Sequence, residues 1–177
     1  MSAFANPASF GVITEPATLK IQRLLPGPIE RVWDYLTDET LRRQWLAGGP
    51  MQQTVGAPLE LVWRNDELTE PPGARPAGFA EEQRMKSRVT QIDPPRKLGI
   101  SWGDDGEVTF ELEPRTNDVL LTVIHRRLAD RNTTLMVSAG WHMHLDILMA
   151  QLAHTQPEPF WDGWSRLRTE YERRLST

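Results

Sequence analysis

The sequence predicts an α+β protein, in which a curved antiparallel sheet wraps around a long C-terminal helix. Five segments between residues 59 and 125 have strand-like composition, mostly alternating, with turn residues between them. The segment after residue 132 instead carries apolar residues at helical spacing. Because an amphipathic helix must bury its apolar stripe, we expect it to lie on the concave face of its own sheet.

The first predicted elements are a strand and two short helices. Residues 1–16 are small and polar, and we expect them to form a loosely held lead-in. Residues 18–25 alternate as a strand does, and Pro28 is well placed for the first turn of a helix. One apolar face of that helix is formed by Ile29, Val32, Trp33 and Leu36. Asp38, with Thr37 before it, can cap a second short helix that runs through Trp45.

A meander of strands follows, interrupted by one long loop. Leu59, Leu61 and Trp63 alternate with Glu60 and Val62, which indicates a strand with one buried face. Residues 66–80 are rich in Pro and Gly and are predicted to form a long mobile loop. Further strands are expected at residues 82–92 and 97–102. The last two strands are marked by alternating side chains: Val108, Phe110 and Leu112, then Val119, Leu121, Val123 and His125.

Two helices are predicted after the meander. Asn132 and Thr133 can cap the long helix, whose stripe is Trp141, Leu145, Leu148 and Leu152. Gly140 inside this helix costs about 1 kcal/mol relative to Ala, so we expect it to permit a close backbone approach. Residues 157–175 contain an extra helix whose apolar stripe is Phe160, Trp164, Leu167, Tyr171 and Leu175. That stripe must be covered, either by the rest of the domain at residues 17–177 or by a partner.

Composition excludes several classes of function. The 177 residues include no cysteine, so a disulfide framework, a thiol nucleophile and a cysteine-ligated metal are excluded. The 20 Lys and Arg against 24 Asp and Glu, without a basic run, disfavour nucleic acid as a partner. No membrane span and no secretory signal are expected, and the absence of cysteine fits a cytoplasmic location.

Short motifs in a fixed order point to a family. They are Leu25-Pro26-Gly27-Pro28-Ile29-Glu30-Arg31-Val32-Trp33, Leu36-Thr37-Asp38, Arg43-Gln44-Trp45-Leu46, Asp93-Pro94-Pro95-Arg96-Lys97-Leu98, Trp102, Glu107-Val108-Thr109-Phe110-Glu111-Leu112, Leu121-Thr122-Val123-Ile124-His125, and Gly140-Trp141-His142 with Leu145 and Leu148. The set resembles the activator-of-Hsp90-ATPase homologue branch of the START/polyketide-cyclase group, within the Bet v 1-like helix-grip superfamily. The resemblance covers residues 17–155 and implies a seven-stranded sheet around a long helix and an apolar cavity. It implies no single activity, since members bind lipids, hormones or polyketides, and some are cyclases or chaperone cofactors.

Three histidines are the candidate polar groups of such a cavity. His142 and His144 are two positions apart on a helix, about 200° around the axis, so they cannot chelate one metal ion together. His142 is expected to pair with Asp146 on the helix surface. His144 is expected to be either a polar group at the cavity margin or a half-buried histidine that is satisfied by a hydrogen bond. His125 is in phase with the apolar residues of its strand. It is expected to point inward, either to orient a ligand or to serve a structural role.

The preferred hypothesis is that the protein binds an apolar small molecule between the sheet and the long helix, with the 66–80 loop near the mouth. The candidate ligand-binding residues are Trp45, Leu61, Trp63, Trp102, Phe110, Leu121, Val123, His125, Trp141, His144, Leu145 and Leu148. Core packing is the alternative role for the tryptophans. No cofactor, no metal and no catalytic residue is expected, because no known catalytic motif occurs. Two other functions stay open. One is an enzyme that acts on a substrate bound in the cavity. The other is a co-chaperone or protein-interaction module, which would form a homodimer or bind a partner protein through the terminal helix.

Overall fold

In the computed structural model, which describes residues 9–175, one antiparallel sheet of seven strands curves around a long helix. The strands are β1 (Val12–Glu15), β2 (Thr18–Pro26), β3 (Pro58–Trp63), β4 (Gln83–Asp93), β5 (Lys97–Trp102), β6 (Gly106–Arg115) and β7 (Asp118–Arg126). The helices are α1 (Ile29–Thr37), α2 (Glu39–Arg42), α3 (Arg131–Ala153) and α4 (Phe160–Arg174). The strand order is β1-β2-β7-β6-β5-β4-β3, so the predicted α+β helix-grip fold is confirmed.

The centre of the sheet is built from β2, β7 and β6, which pair along their full lengths. His125 of β7 lies opposite Leu19 on one side and Val108 on the other. Leu121 and Val123 are completely buried, as their alternation predicts. These central strands form the floor on which α3 lies.

The N-terminal segment differs from the prediction. Residues 12–15 form β1, which pairs with the edge of β2, although all four side chains are exposed. The Gly11 amide donates a hydrogen bond to the Tyr171 hydroxyl (2.7 Å), and Phe10 packs against the same ring. A strand held mainly by backbone hydrogen bonds leaves no apolar alternation in the sequence, which explains why a lead-in was predicted here. The part of that prediction on residues 1–8 lies outside the described residues.

The long helix is buried on two sides rather than along one stripe. The sheet covers one face, and α4 packs on the other through Phe160, Trp164, Leu167 and Tyr171. The apolar stripe of the terminal helix is therefore covered within the chain itself. Helix α3 begins earlier than predicted, because the Asp130 carboxylate, not Asn132, caps it by accepting from the Thr133 amide at 2.8 Å.

Helix α2 is shorter than predicted. It ends at Arg42, and tight turns carry the chain on to Trp45. Asp38 caps it as expected, accepting a hydrogen bond from the Leu41 amide at 3.1 Å. The buried Arg42 guanidinium donates to the carbonyl oxygens of Leu36 and Ala47, which fixes the turn against α1.

The segment of residues 66–80 is irregular, as predicted, but it is attached to α4. The Thr69 hydroxyl accepts a hydrogen bond from the Phe160 amide (2.9 Å), and the Trp161 indole donates to Asp66 (2.7 Å). The Trp161 amide also donates to the Pro72 carbonyl. These contacts attach the segment to the first turn of α4, beside Gly140 and His144 of α3. No helix within residues 9–175 is long and apolar enough to cross a membrane.

Candidate functional site

One cavity lies between α3 and the end of the sheet formed by β3, β4 and β5. Its volume is about 260 Å³. A side chamber of about 80 Å³ adjoins it and shares Trp63, Asn65, Phe79, Gln83, Gly140, His144 and Trp164 with it. We call the two together the site cavity. Helix α3, the β4 strand and the segment after β3 each contribute wall residues, so the cavity forms only when the whole domain has folded.

Large aromatic side chains make up much of the surface of this cavity. Trp63 and Trp102 meet edge to face at 5.4 Å between ring centroids, and Trp102 lies 5.5 Å from Trp141. On the opposite side, Phe79 lies 5.0 Å from Trp164. We call these five rings the aromatic wall. Its π faces and edges suit a flat, apolar guest, because aromatic pairs prefer offset or edge-to-face contact.

The inner surface of α3 is open at Gly140. A Cβ atom built there would meet only the Trp164 indole nitrogen, at 4.0 Å. The expected close backbone approach is therefore wrong, and the missing side chain instead leaves empty space between α3 and α4. Glycine in a helix interior costs about 1 kcal/mol relative to alanine. No packing contact at Gly140 offsets that cost, whereas any larger side chain would reduce the space available to a ligand.

His144 is the polar side chain that α3 places on the cavity. Its Nδ1 atom donates a hydrogen bond to the Trp45 carbonyl oxygen at 2.8 Å, since a carbonyl can only accept. The other ring nitrogen, Nε2, then carries a lone pair. Burial lowers the pKa of His144 to about 4, although the Trp45 hydrogen bond acts in the opposite direction. The ring is thus a neutral hydrogen-bond acceptor at neutral pH, and it is buried rather than half-buried.

His125 lies behind the aromatic wall and not on the cavity surface. The Trp141 indole donates a hydrogen bond to His125 Nδ1 at 3.1 Å, which places the histidine proton on Nε2. Burial lowers the pKa of His125 to about 4. The inward orientation is as predicted, and the geometry shows a positioning role, in which His125 fixes the Trp141 ring at the edge of the cavity.

His142 does not form the surface pair that its spacing predicts. It is buried under α4, where its Nδ1 accepts a hydrogen bond from the Tyr171 hydroxyl at 2.9 Å. Asp146 is 3.7 Å from His142 Nε2, but its closer partner is Arg23 of β2, at 3.2 Å. Burial by the extra helix is the reason, because that helix covers the face of α3 which the sequence alone assigns to solvent. His142 and His144 contact different neighbours, on α4 and after α2.

Four of the twelve predicted ligand-binding residues line the site cavity: Trp63, Trp102, Trp141 and His144. The other eight are buried packing residues beneath or beside it, and they are Trp45, Leu61, Phe110, Leu121, Val123, His125, Leu145 and Leu148. Five of them lie on β3, β6 and β7, two lie on α3 and Trp45 follows α2, and none of the eight lines the site cavity. Alternation identifies the inward face of a strand, but it does not identify the end of the sheet at which α3 and the strands separate.

Sequence reasoning missed most of the remaining wall. The missed residues of the main chamber are Leu46, Asn65, Phe79, Gln83, Arg84, Met85, Met136, Val137, Gly140 and Trp164, and those of the side chamber alone are Ala80, Glu81, Phe160 and Trp161. Phe79 gave one usable signal, because a large aromatic residue is unusual within a Pro- and Gly-rich segment. Gly140 gave another, as a helix-interior glycine. Asn65 gave no signal in the sequence. It lies two positions after the last residue of β3, and a single 3-10 turn determines its position.

Comparison with known proteins identifies a family and a fold. The family model described as "Activator of Hsp90 ATPase homolog 1-like protein" matches residues 26–153. No curated protein matches the chain. The solution structure of the protein encoded by gene BPP1335 from Bordetella parapertussis shares 39% sequence identity, with a TM-score of 0.79. That alignment covers 98% of this chain and 93% of the other, so it extends beyond the family match.

Two more distant structures share the fold. CalU16 from Micromonospora echinospora is 20% identical with a TM-score of 0.65, and the alignment covers 96% of this chain and 97% of that one. DynU16, from the dynemicin biosynthetic locus, is 19% identical with a TM-score of 0.64. The alignment with DynU16 covers 81% of this chain and 50% of that one. At these identities the likeness concerns the fold alone.

Proposed function

This chain belongs to the activator of Hsp90 ATPase homolog 1-like family, and from that premise we propose that it binds a small aromatic molecule in the site cavity. The family and its fold are compatible with a ligand-binding or a cyclase-like role. The observation that carries the proposal is the open face of α3 at Gly140, beside the aromatic wall. Glycine makes α3 less stable than alanine would at this position, and no packing contact compensates for the loss. The space beside Gly140 is therefore available to a ligand.

The size of the cavity limits the guest. Small-molecule sites usually measure about 300–1,000 Å³, and the main chamber here has about 260 Å³. A molecule of one or two fused rings fits such a space, whereas a long acyl chain or a large polycyclic compound does not. Binding free energy would come mainly from burial of apolar area, at about 25 cal/mol per Å² before the cost of association is subtracted.

A second depression, of about 350 Å³, lies on the outer side of β3 and β4 and is a weaker candidate. Most of its charged side chains pair with one another. Arg64 is 2.6 Å from Glu82, and Arg84 is 3.1 Å from Glu60. With most of the opposite charges already paired, this surface offers an ionic ligand little net attraction.

The proposal is tested by calorimetric titration with 2-naphthol, a bicyclic probe, together with the shift in melting temperature. We expect saturable one-to-one binding and a higher Tm, because a ligand that binds only the folded state stabilises it. Gly140→Leu fills the open space, so this variant should fold but lose at least about tenfold in affinity. Val55→Leu, at an exposed position, is the control and should bind as the wild type does.

Two outcomes would overturn the proposal. One is the absence of saturable binding to the wild-type protein. The other is a folded Gly140→Leu variant that binds the probe with unchanged affinity, because the guest would then lie elsewhere. If Gly140→Leu does not fold, Gly140→Ala, which adds one methyl group at an uncrowded position, provides the same comparison with a smaller expected loss.

A further inference from the structure

The seven tryptophans of the chain differ in whether the indole N–H group has a hydrogen-bond partner. Four of these groups donate to an oxygen or nitrogen atom of the protein, and they belong to Trp33, Trp45, Trp141 and Trp161. Among the described residues, Trp63, Trp102 and Trp164 have no such partner, and all three line the main chamber. The indole donors that the fold leaves unpaired are therefore all on the site cavity.

The unpaired indole groups are open to contact. Only three unpaired side-chain nitrogen or oxygen atoms in the described chain are closed to contact, and they are Arg23 Nε, Asn65 Oδ1 and Ser138 Oγ. Each of the three indole nitrogens therefore keeps free surface. Trp63 and Trp102 are half-buried, so solvent can satisfy their N–H groups. Trp164 is only 7% exposed, so its N–H group depends on what occupies the cavity.

The Trp164 indole nitrogen borders the open space beside Gly140. Outside the helix itself, it is the one atom that a Cβ at Gly140 would meet, at 4.0 Å. Both residues line both chambers. A guest that fills the space beside Gly140 is thus within reach of this N–H group. A guest without an acceptor would exclude water from the donor and leave it unsatisfied, which is unfavourable.

The charge of the wall argues against an anionic guest. Among the described residues that line the main chamber, Arg84 is the only one with a charged side chain. Its guanidinium is already held by Glu82 at 2.8 Å and Glu60 at 3.1 Å. Glu81, on the side chamber, is itself an acidic residue. A carboxylate in the cavity would lose its hydration without gaining a free cation, and burial of an unpaired charge is costly.

We propose that the site cavity binds a neutral aromatic carbonyl compound, whose carbonyl oxygen accepts a hydrogen bond from the Trp164 indole N–H. This inference rests on the proposed function and adds the ligand class. An indole N–H can only donate and a carbonyl oxygen can only accept, so each satisfies the other. A hydroxyl group would also bring a donor, which needs an acceptor of its own. Trp164 is thus the specificity-determining residue, and the other rings of the aromatic wall supply affinity that does not depend on the oxygen.

Two probes of nearly the same shape isolate this hydrogen bond. They are 2-acetonaphthone, a ketone, and 2-isopropenylnaphthalene, in which a methylene group replaces the carbonyl oxygen. Each is added to wild-type protein labelled with ¹⁵N in its tryptophans, so that the indole N–H groups give separate NMR signals. Both probes shift these signals through their ring currents, and the difference between the probes therefore reports the hydrogen bond. We expect the Trp164 indole proton to lie further downfield with the ketone.

Trp164→Phe removes the N–H donor and keeps an aromatic ring. Its effect is measured by calorimetric titration as the ratio of the two affinities, because the ratio cancels a general change in packing. We expect the preference for the ketone over the hydrocarbon to fall about fivefold, as for the loss of one neutral hydrogen bond. Trp33→Phe, the same substitution at a buried tryptophan outside the cavity, is the matched control and should leave the ratio unchanged.

A third probe, 2-naphthoate, tests the charge of the guest. Its carboxylate also accepts hydrogen bonds but is ionised near neutral pH, so it should bind more weakly than the ketone. Tighter binding of 2-naphthoate would overturn the neutral ligand.

The remaining outcomes distinguish the two proposals. Identical indole signals with the ketone and the hydrocarbon would overturn the carbonyl inference and leave the proposed function standing. A ketone-specific shift at Trp63 or Trp102 instead, or a folded Trp164→Phe variant with an unchanged affinity ratio, would overturn the role of Trp164. If neither these probes nor 2-naphthol binds, the proposed function itself fails.

Discussion

At the scale of single residues, two glycines of similar appearance in the sequence have opposite environments. Both Gly140 and Gly163 lie inside helices. A Cβ on Gly140 would meet only one atom, at 4.0 Å, whereas a Cβ on Gly163 would overlap Met143 Sδ. Met143 is buried, so it has little room to move away. Gly163 therefore permits the close packing of α4 on α3, which is the role that the sequence analysis assigned to Gly140.

Substitution of each glycine by alanine should change stability in opposite directions. Gly140→Ala should raise the free energy of unfolding by about 1 kcal/mol through helix propensity, since the new methyl group has space. Gly163→Ala gains the same propensity but overpacks the interface, and we expect a net loss of about 1–2 kcal/mol. Urea denaturation with unchanged m-values would measure both effects. Destabilisation by Gly140→Ala would show that the space beside it is not open.

At the scale of elements, the terminal helix and the segment of residues 66–80 stabilise each other. Thr69 is the central contact, since its hydroxyl accepts from the Phe160 amide and donates to the Pro71 carbonyl. Phe79, from the same segment, packs against Trp161 and Trp164 of α4. The position of Phe79 on the aromatic wall therefore depends on the docking of α4.

Thr69→Val tests this coupling. The substitution keeps the shape of the side chain but leaves the Phe160 amide without its acceptor, which should cost about 1–3 kcal/mol of stability. Residues 66–80 should also exchange amide hydrogens faster and be cleaved sooner by protease. Thr169→Val, on the exposed side of α4, is the matched control, with an expected change within about 0.5 kcal/mol. Equal behaviour of the two variants would contradict the coupling.

At the scale of the whole molecule, the fold buries three histidines in neutral form. Burial is the largest cause in each case, lowering the pKa of His125 and His144 to about 4 and that of His142 to about 3, from an ordinary value of 6.5. The charge of Arg23 lowers the pKa of His142 further. Asp146 shifts the other way, because burial raises its pKa from 3.8 to about 6, against the opposing effect of Arg23.

These shifts predict that the protein loses stability on mild acidification. Each histidine has a folded-state pKa below its unfolded value, so its contribution is complete above pH 6.5 and is lost as the pH falls toward about 4. Asp146 binds a proton in the folded state within the same pH range. This proton offsets one of the three that the histidines bind only in the unfolded chain. Near pH 5 the unfolded chain thus binds on the order of two more protons, which corresponds to roughly 2–3 kcal/mol per pH unit.

Urea midpoints between about pH 7 and about pH 4.5 measure this slope. His154→Asn is the control, since His154 is exposed at the end of α3, and it should leave the slope unchanged. A midpoint that stays constant, or rises, as the pH falls through this range would contradict the neutral buried histidines.

The sequence by itself determined the class of the fold, the order of its elements and the inward face of most strands. These properties follow from local patterns, because alternation in β6 and β7 and helical spacing in α3 and α4 are set by residues close in the chain. The family was also recognisable, from short motifs between Leu25 and Leu148. Seven strands were implied by that resemblance, although only six could be identified from the residues themselves.

Only the tertiary structure decided where the open space lies and which side chains surround it. Trp63 and Trp102 lie at the ends of their strands and line the site cavity, while Leu121 and Val123 lie in the middle of β7 and are completely buried. The burial of His142 and the exposure of Gly140 to the cavity depend equally on the docking of α4. These features arise from contacts between elements far apart in the sequence, and no period within a single element encodes them.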